Sequence, residues 1–463
     1  MEYKISNRLK IGAIILMVLG LLGVGYGFMD SHHYETVDDV KELLAGEAHH
    51  GASHDDGHTE EAHEESHGES VAHAEEGHGD EAHGAEATEH KMSHEEHVLH
   101  QIHNRPYSAL YVAAFFFFMI ALGVLAFYAV QYAAQAGWSP VLFRVMEGIT
   151  SYVLPGGLIV LAIAFVADSH LFVWLTDGMT TKGSDNYDAL VAGKSGWLNK
   201  TGFFIRGLIF LGGWSLYRYF SRKFSVAQDN ADVNDNRNFK KNFRISAAFL
   251  VFFIYTESMM SWDWIMSVDP HWFSTLFGWY LLAGMLVCGV TTIAMIAIYL
   301  KSKGLLEHVN DSHIHDLAKF MFGFSIFWTY LWFSQFMLIW YSNIPEEVTY
   351  FITRIEDYNL PFFGMVAMNF LFPLLLLMNS DFKRVNWFVI MAGIVILCGH
   401  YVDIFNMIMP ATVGDRWFIG IPEIGAILLF GGLFLFIVFT ALGKYPLKPK
   451  GNPFIKESEH FHY

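Results

Sequence analysis

The chain has 463 residues, 53% hydrophobic and only 16% charged, where an ordinary globular domain carries about 25% charged residues; its main unit belongs in a bilayer, and a water-soluble enzyme core is excluded. The formal charge of −17 is local, because residues 30–105 hold 21 of the 46 acidic residues and three of the 29 basic ones; the rest is close to neutral and no nucleic-acid partner is expected. The two cysteines, Cys288 and Cys398, each sit in an apolar run, which excludes a disulfide framework, a zinc ribbon and a four-cysteine iron–sulfur site, so any metal cluster belongs to a partner.

A helix crosses roughly 30 Å of hydrocarbon with about 20 apolar residues. Ten stretches meet that requirement: residues 11–28, 107–133, 149–167, 202–220, 245–262, 274–299, 320–340, 360–378, 385–409 and 421–442. The first follows Lys4, Arg8 and Lys10 as the core of a signal peptide would, but it is too long for one and no small-residue cleavage site follows. It is expected to remain as an anchor over residues 1–29, before a loop over 30–105, a transmembrane domain over 106–443 and a tail over 444–463. Cytoplasmic loops retain Lys and Arg. With the N-terminus inside, twenty of the 29 basic residues fall on the cytoplasmic side, Arg144, Lys240, Lys301 and Lys444 among them; eight, including Arg354, fall outside, and Arg206 stands at the outer end of its helix. The count predicts a multi-pass protein of a bacterial inner membrane with both termini in the cytoplasm.

The loop over 30–105 carries 16 of the 24 histidines in repeats such as GEAHHGASHDDGHTEEAHEESHGES. With hardly any aromatic or branched side chains to bury, it forms no core and is expected to be disordered on the periplasmic side. Imidazole beside carboxylate suits a divalent-metal buffer. A solvated tether is the preferred explanation of the composition, because no fixed ligand spacing stands out.

Ionisable residues within a bilayer are costly and commonly face a cavity, a relay or another helix. Glu257 lies in FFIYTESMMSWDW, less than two turns before the outer end of the fifth span. His400 and Asp403, three apart in CGHYVDIFN, share one helical face. Glu423 opens the tenth span after Pro422, and Asp168, Asp263, Asp269 and His271 stand at outer ends. Each alone is explained as a packing or interfacial residue, but together they concentrate protonatable groups on one side. Glu257, Asp263, His271, His400 and Asp403 are therefore the candidate proton-path residues, with no metal ligand and no catalytic nucleophile among them. A bis-histidine haem needs two buried histidines on facing helices, and only His400 is well inside the membrane, so the chain is expected to carry no redox centre of its own. An inward relay could use Gln335, Asn369, Tyr217, Glu147 and Arg144. Breaks at Pro155-Gly156-Gly157 and at Pro373 could open the backbone around a cavity or simply kink it.

The segment SWDWIMSVDPHWFSTLFGWY, from Ser261 to Tyr280, joins the fifth and sixth spans, and its tryptophans suit an interfacial belt. The longer stretch ESMMSWDWIMSVDPHWFSTLFGWYLLAG, together with the helix count, resembles the membrane subunits of alternative complex III, the bacterial quinol:cytochrome c or quinol:high-potential-acceptor oxidoreductase, relatives of the NrfD/polysulfide reductase membrane anchors. The resemblance covers residues 104–442. It implies an all-α membrane protein of ten transmembrane helices, in which helices two to five and six to nine form two four-helix bundles flanked by the first and tenth. It further implies multihaem cytochrome c subunits, an iron–sulfur subunit and a sister ten-helix subunit as partners, which hold the haem c and the clusters. Quinol is then the possible ligand of this chain, and quinol binding or proton translocation the role of Glu257, Asp263, His271, His400 and Asp403. In that family the quinol site is assigned to the sister subunit beside the iron–sulfur protein. Two other function classes fit ten helices: a secondary transporter or proton channel, which would show clearer paired repeats and more midplane charge, and a scaffold subunit without a site of its own.

Overall fold

A computed structural model describes residues 3, 5–51, 93–232 and 234–462, and among them every regular element is helical. The chain divides into two units, His33–His100 and the remainder. In the smaller unit, helix α2 (Val37–Gly51) starts at a reciprocal cap in which Asp39 Oδ2 accepts from Thr36 N at 2.8 Å and Thr36 Oγ1 accepts from Asp39 N at 3.4 Å. A second such cap, with Ser93 N donating to Glu96 Oε2 at 2.8 Å, opens α3 (His94–Ala133). This helix starts well before the apolar stretch predicted from residue 107, because its first turns are polar and Pro106 is tolerated inside it. The centre of the expected loop, residues 52–92 with most of the His/Glu repeats, lies outside the described residues.

The larger unit begins with α1 (Asn7–Ser31) and continues from α3 through α4 (Phe143–Ile149), α5 (Val153–Val166), α6 (Lys200–Asp229), α7 (Arg237–Trp264), α8 (Phe277–Ser302) and α9 (Asp311–Ser342). Then come α10 (Pro345–Glu356), α11 (Asn359–Val366), α12 (Phe372–Leu377), α13 (Asn386–Val413) and α14 (Ile421–Leu442). Among the described residues, nine helical spans are long and apolar enough to cross a membrane, with α4 and α5 forming one span and α11 and α12 another. Helix α6 is not among the nine, since Arg206 and Arg218 interrupt its apolar stretch, yet it has 30 residues and leaves Ile205, Leu208 and Leu216 more than half exposed.

The two expected breaks have physical form. A proline ring cannot donate to the carbonyl four residues earlier and crowds it. Ahead of Pro155 the α4–α5 span tightens into a 3₁₀ turn at Thr150–Tyr152, while Gly156 and Gly157 continue as ordinary helix. Ahead of Pro373 the α11–α12 span widens into a π turn at Ala367–Leu371, a form often found at functional sites.

Helices α3 and α8 are innermost: 89% of the apolar window of each is buried, against 22% for α1. They approach closely because neither presents a side chain at the crossing; a Cβ on Gly289 would stand 2.9 Å from Val124 N. The long helices at the two ends of the chain, α1 and α14, pair in the same manner, where a Cβ on Gly23 would stand 2.9 Å from Gly425 Cα. Small residues that let backbones meet are the characteristic contact of helices in lipid.

The connections form two layers. In one, the C-terminal residues stitch three connections together: Ser458 Oγ donates to Trp138 O at 2.6 Å, Gly451 N to Asp229 Oδ1 at 3.0 Å and Asn310 Nδ2 to Phe461 O at 2.6 Å. In the other, Asn104 Nδ2 donates to Thr412 O at 3.1 Å, Lys194 Nζ to Pro270 O at 2.6 Å and Trp417 Nε1 to Asp357 O at 2.7 Å, and Trp272 stacks on Tyr350 with ring centres 3.8 Å apart. Helix α6 runs from the second layer to the first. Between the layers Leu22, Leu208, Val251, Leu338 and Leu375 are all more than half exposed, a surface that lipid covers. The protein is a multi-pass membrane protein.

Candidate functional site

The deepest polar constellation is built on α13. His400 and Asp403 lie on its inward face, 0% and 2% exposed, with His400 Nδ1 3.5 Å from Asp403 Oδ2. Asp403 is held from two other helices: Trp328 Nε1 on α9 donates to Oδ2 at 2.9 Å, and the Tyr280 hydroxyl on α8 donates to Oδ1 through a short hydrogen bond. The edge of the Trp328 ring meets the His400 ring with centres 5.3 Å apart. Neither ring nitrogen of His400 makes a hydrogen bond to a described residue. Phenol, carboxylate and imidazole thus stand in contact in the protein interior.

One turn further along the same face Asn406 extends the stripe into a narrow cavity shared with Tyr280, Gln335 and Arg354. Arg354 comes from α10, an amphipathic helix in a connection expected to be an open outer loop. It is 3% exposed, donating Nε to Asn406 O at 3.0 Å and Nη1 to Tyr350 O at 2.7 Å, with its guanidinium 3.3 Å over the Tyr350 ring. Arg354 Nη2, Gln335 Oε1 and Asn406 Oδ1 are buried without a hydrogen-bond partner among the described residues. Asn369, in the π turn, packs its side-chain amide against the Gly399 backbone beside His400, and both its amide atoms are likewise unpartnered. Buried polar groups are nearly always hydrogen-bonded. The cavity that Arg354, Gln335 and Asn406 line has about 20 Å³, room for a single water that would satisfy them.

The other three candidates lie apart from this constellation. Glu257 on α7 is fully buried, and among the described residues its carboxylate meets only Ser258 Oγ, at 3.5 Å. Asp263 is a structural ion pair: Arg206 donates Nε to Oδ2 at 2.6 Å and Nη2 to Oδ1 at 3.0 Å, Trp197 Nε1 donates to Oδ1 at 2.7 Å, and the guanidinium lies 4.2 Å over the Trp197 ring. His271 is half exposed in the second layer of connections, with Nε2 2.6 Å from Asp188 Oδ2. Burial alone would raise the Asp188 carboxyl, but the Val191 N–H, which it caps, and His271 outweigh burial and hold it below its ordinary range.

Of the expected inward relay, Gln335 and Asn369 belong to the His400–Asp403 site, while Tyr217, Glu147 and Arg144 belong elsewhere. Glu147 accepts from Tyr128 at 2.9 Å, Arg144 at 2.6 Å and Ser225 at 2.5 Å and pairs with Arg222; Tyr217 meets Ser246 at 2.8 Å. Tyr280, Trp328, Asn406 and Arg354 escaped the sequence reading. Only Asn406 carried a signal, the three-residue spacing from His400 through Asp403.

No family model matches the chain, and no curated protein matches it.

Proposed function

We propose that the chain is a membrane subunit of a quinol-oxidising respiratory complex of the alternative complex III kind, in which Asp403 and His400 take up or pass the protons released by quinol oxidation and Tyr280 holds the Asp403 carboxylate in place. The observation that carries this reading is the buried contact of Tyr280 and His400 with one carboxylate, Asp403, beside a cavity lined by unpartnered polar atoms. A quinol that loses two electrons also loses two protons, and a carboxylate and an imidazole within reach are the acceptors such chemistry needs. The electrons leave through haem c and iron–sulfur clusters of partner subunits, among them a multihaem cytochrome, an iron–sulfur protein and a sister ten-helix subunit.

In this reading α6 is the tenth crossing. Its length, its exposed apolar residues and its path between the two layers of connections support it. Two four-helix groups follow, α3 to α7 and α8 to α13, with the α1–α14 pair outside them. The pairing of α6 with α7 and α5 in the first group, and of α8 with α9 and α13 in the second, supports that division. The partition of Lys and Arg supports cytoplasmic termini in a bacterial inner membrane.

Purification in mild detergent tests the reading directly. Co-purification with haem c, and quinol-driven reduction of that haem that falls in Asp403→Asn, are expected. A protein that purifies alone and drives solute uptake would instead be a transporter, and turnover and proton release unchanged by Asp403→Asn would leave this chain a scaffold.

A further inference from the structure

Away from the His400–Asp403 site, a cleft of about 740 Å³ opens between α4, α6 and α14, near the layer of connections stitched by the C-terminal residues. Its polar end holds Arg218, Arg222, Lys223 and Lys444 and a single carboxylate, Glu147. Glu147 is already engaged by Arg144 and Arg222, which fixes the Arg222 side chain, further seated 4.7 Å over the Tyr445 ring. No carboxylate among the described residues lies within ion-pair distance of Arg218, Lys223 or Lys444. Arg218 Nε and Thr440 Oγ1 are buried in the cleft wall without a hydrogen-bond partner among the described residues. The other end is apolar, walled by Phe436 and Ile437, and continues onto the exposed side chains of Leu216 and Tyr219.

From this arrangement we infer that the cleft binds the phosphate-bearing headgroup of an anionic phospholipid, with an acyl chain along Phe436 and Ile437. Arg218, Lys223 and Lys444, without a carboxylate partner among the described residues, present positive charge that a multiply accepting anion complements, and the guanidinium fork of Arg218 matches phosphate oxygens. The apolar floor running onto the lipid-facing surface of α6 selects an amphiphile over a free ion. Basic pockets between membrane helices hold anionic lipid headgroups on these terms. The inference is independent of the role proposed for Asp403.

The test is native mass spectrometry of the delipidated full-length protein, in whatever complex it purifies with, titrated with phosphatidylglycerol, phosphatidylcholine or inorganic phosphate. Phosphatidylglycerol is expected to bind in preference to phosphatidylcholine. Its affinity should fall about fivefold in Lys444→Gln and about twentyfold in Arg218→Gln/Lys444→Gln, with binding of phosphatidylcholine unchanged. Lys444 is exposed beyond the end of α14, so its substitution leaves the fold intact and carries the test even if the double variant does not assemble. Equal affinity for the two lipids, or phosphatidylglycerol binding indifferent to Lys444→Gln, overturns the inference. Saturable binding of inorganic phosphate without lipid binding also overturns it and assigns the cleft to a soluble anion.

Discussion

The Tyr280 hydroxyl donates to Asp403 across 123 residues of sequence, and Trp328 Nε1 donates to the other oxygen of the same carboxylate at 2.9 Å. Three helices therefore fix one carboxylate, and its amide counterpart can retain both acceptor contacts only in part while losing the ability to take a proton. On the proposed quinol-oxidising function, Asp403→Asn is expected to leave assembly intact and to lower quinol-driven turnover about 100-fold, the scale of a lost general base. Stopped-flow reduction of the accompanying haem measures it, and Tyr280→Phe, which removes a donor but not the base, should cost far less.

Glu257 offers the opposite case. Its carboxylate is wholly buried with one long contact to Ser258, so nothing among the described residues would repay a charge there. Glu257→Gln is expected to change stability by less than about 1 kcal/mol, in the stabilising direction if at all. Turnover should stay near that of the unaltered protein. A loss of turnover comparable to Asp403→Asn would show that Glu257 shares the proton path despite its separate position.

How much of this was legible in sequence follows from what a bilayer imposes. Apolar runs of about 20 residues are forced by hydrocarbon thickness, so spans such as 274–299 and 421–442 could be read directly. Helix α10 could not, because its 12 residues are amphipathic and look like a polar connection, and Arg354 was counted with the outer loops although it is buried. His400 and Asp403 were legible as a pair because three-residue spacing defines a helical face. Tyr280 and Trp328 were not, since in a chain that is 16% aromatic no local pattern singles out two rings whose partner is far away in sequence. The grouping of Asp263 and His271 with that pair rested on their shared membrane side. Each instead has a partner of its own, Arg206 and Asp188, that no spacing rule connects to it.

The Arg206–Asp263 pair holds α6 to α7 near the second layer of connections, with Asp263 buried and Arg206 stacked on Trp197. Removing one partner leaves the other as an uncompensated charge, a loss of about 3 kcal/mol. Arg206→Gln is expected to lower the thermal midpoint of the detergent-solubilised protein. The double variant Arg206→Met/Asp263→Leu should recover most of that loss; no recovery would mean that the Trp197 stacking, rather than the charge pair, holds the contact.

The α1–α14 pair depends on the bare backbones at Gly23 and Gly425, where a side chain has no room. Overpacking of such a contact costs about 1–3 kcal/mol. Gly425→Leu is expected to separate α1 from α14 while the α3–α8 core stays folded. A cysteine placed at buried position 24, beside Gly425, reports the separation as a gain of labelling by a thiol reagent. Unchanged protection would show that the two helices are held by their ends instead.

Acid should release the connection that Asp188 and His271 tie together. Asp188 caps Ala189–Lys194 through Val191 N at 2.9 Å and meets His271 Nε2 at 2.6 Å, and together these bonds outweigh burial and hold its carboxyl below its ordinary value of 3.8. Asp168 is lowered in the same way, its bond to Lys200 Nζ at 2.5 Å and to Ser169 N at 2.8 Å overcoming the opposing effect of burial. A carboxyl whose folded pKa lies below its unfolded one binds fewer protons when folded. The stability it contributes is therefore complete above about pH 4 and disappears as pH falls through the depressed folded value. Amide hydrogen exchange over residues 177–199 is expected to stay slow from pH 7 to 5 after correction for intrinsic rates, and to lose protection below about pH 4. In Asp188→Asn the part of that acid step arising from the cap and the His271 contact should vanish, leaving the exchange already faster at pH 7. Protection in the unaltered protein that is equal at pH 3 and pH 6 would show that neither carboxylate holds this connection in place.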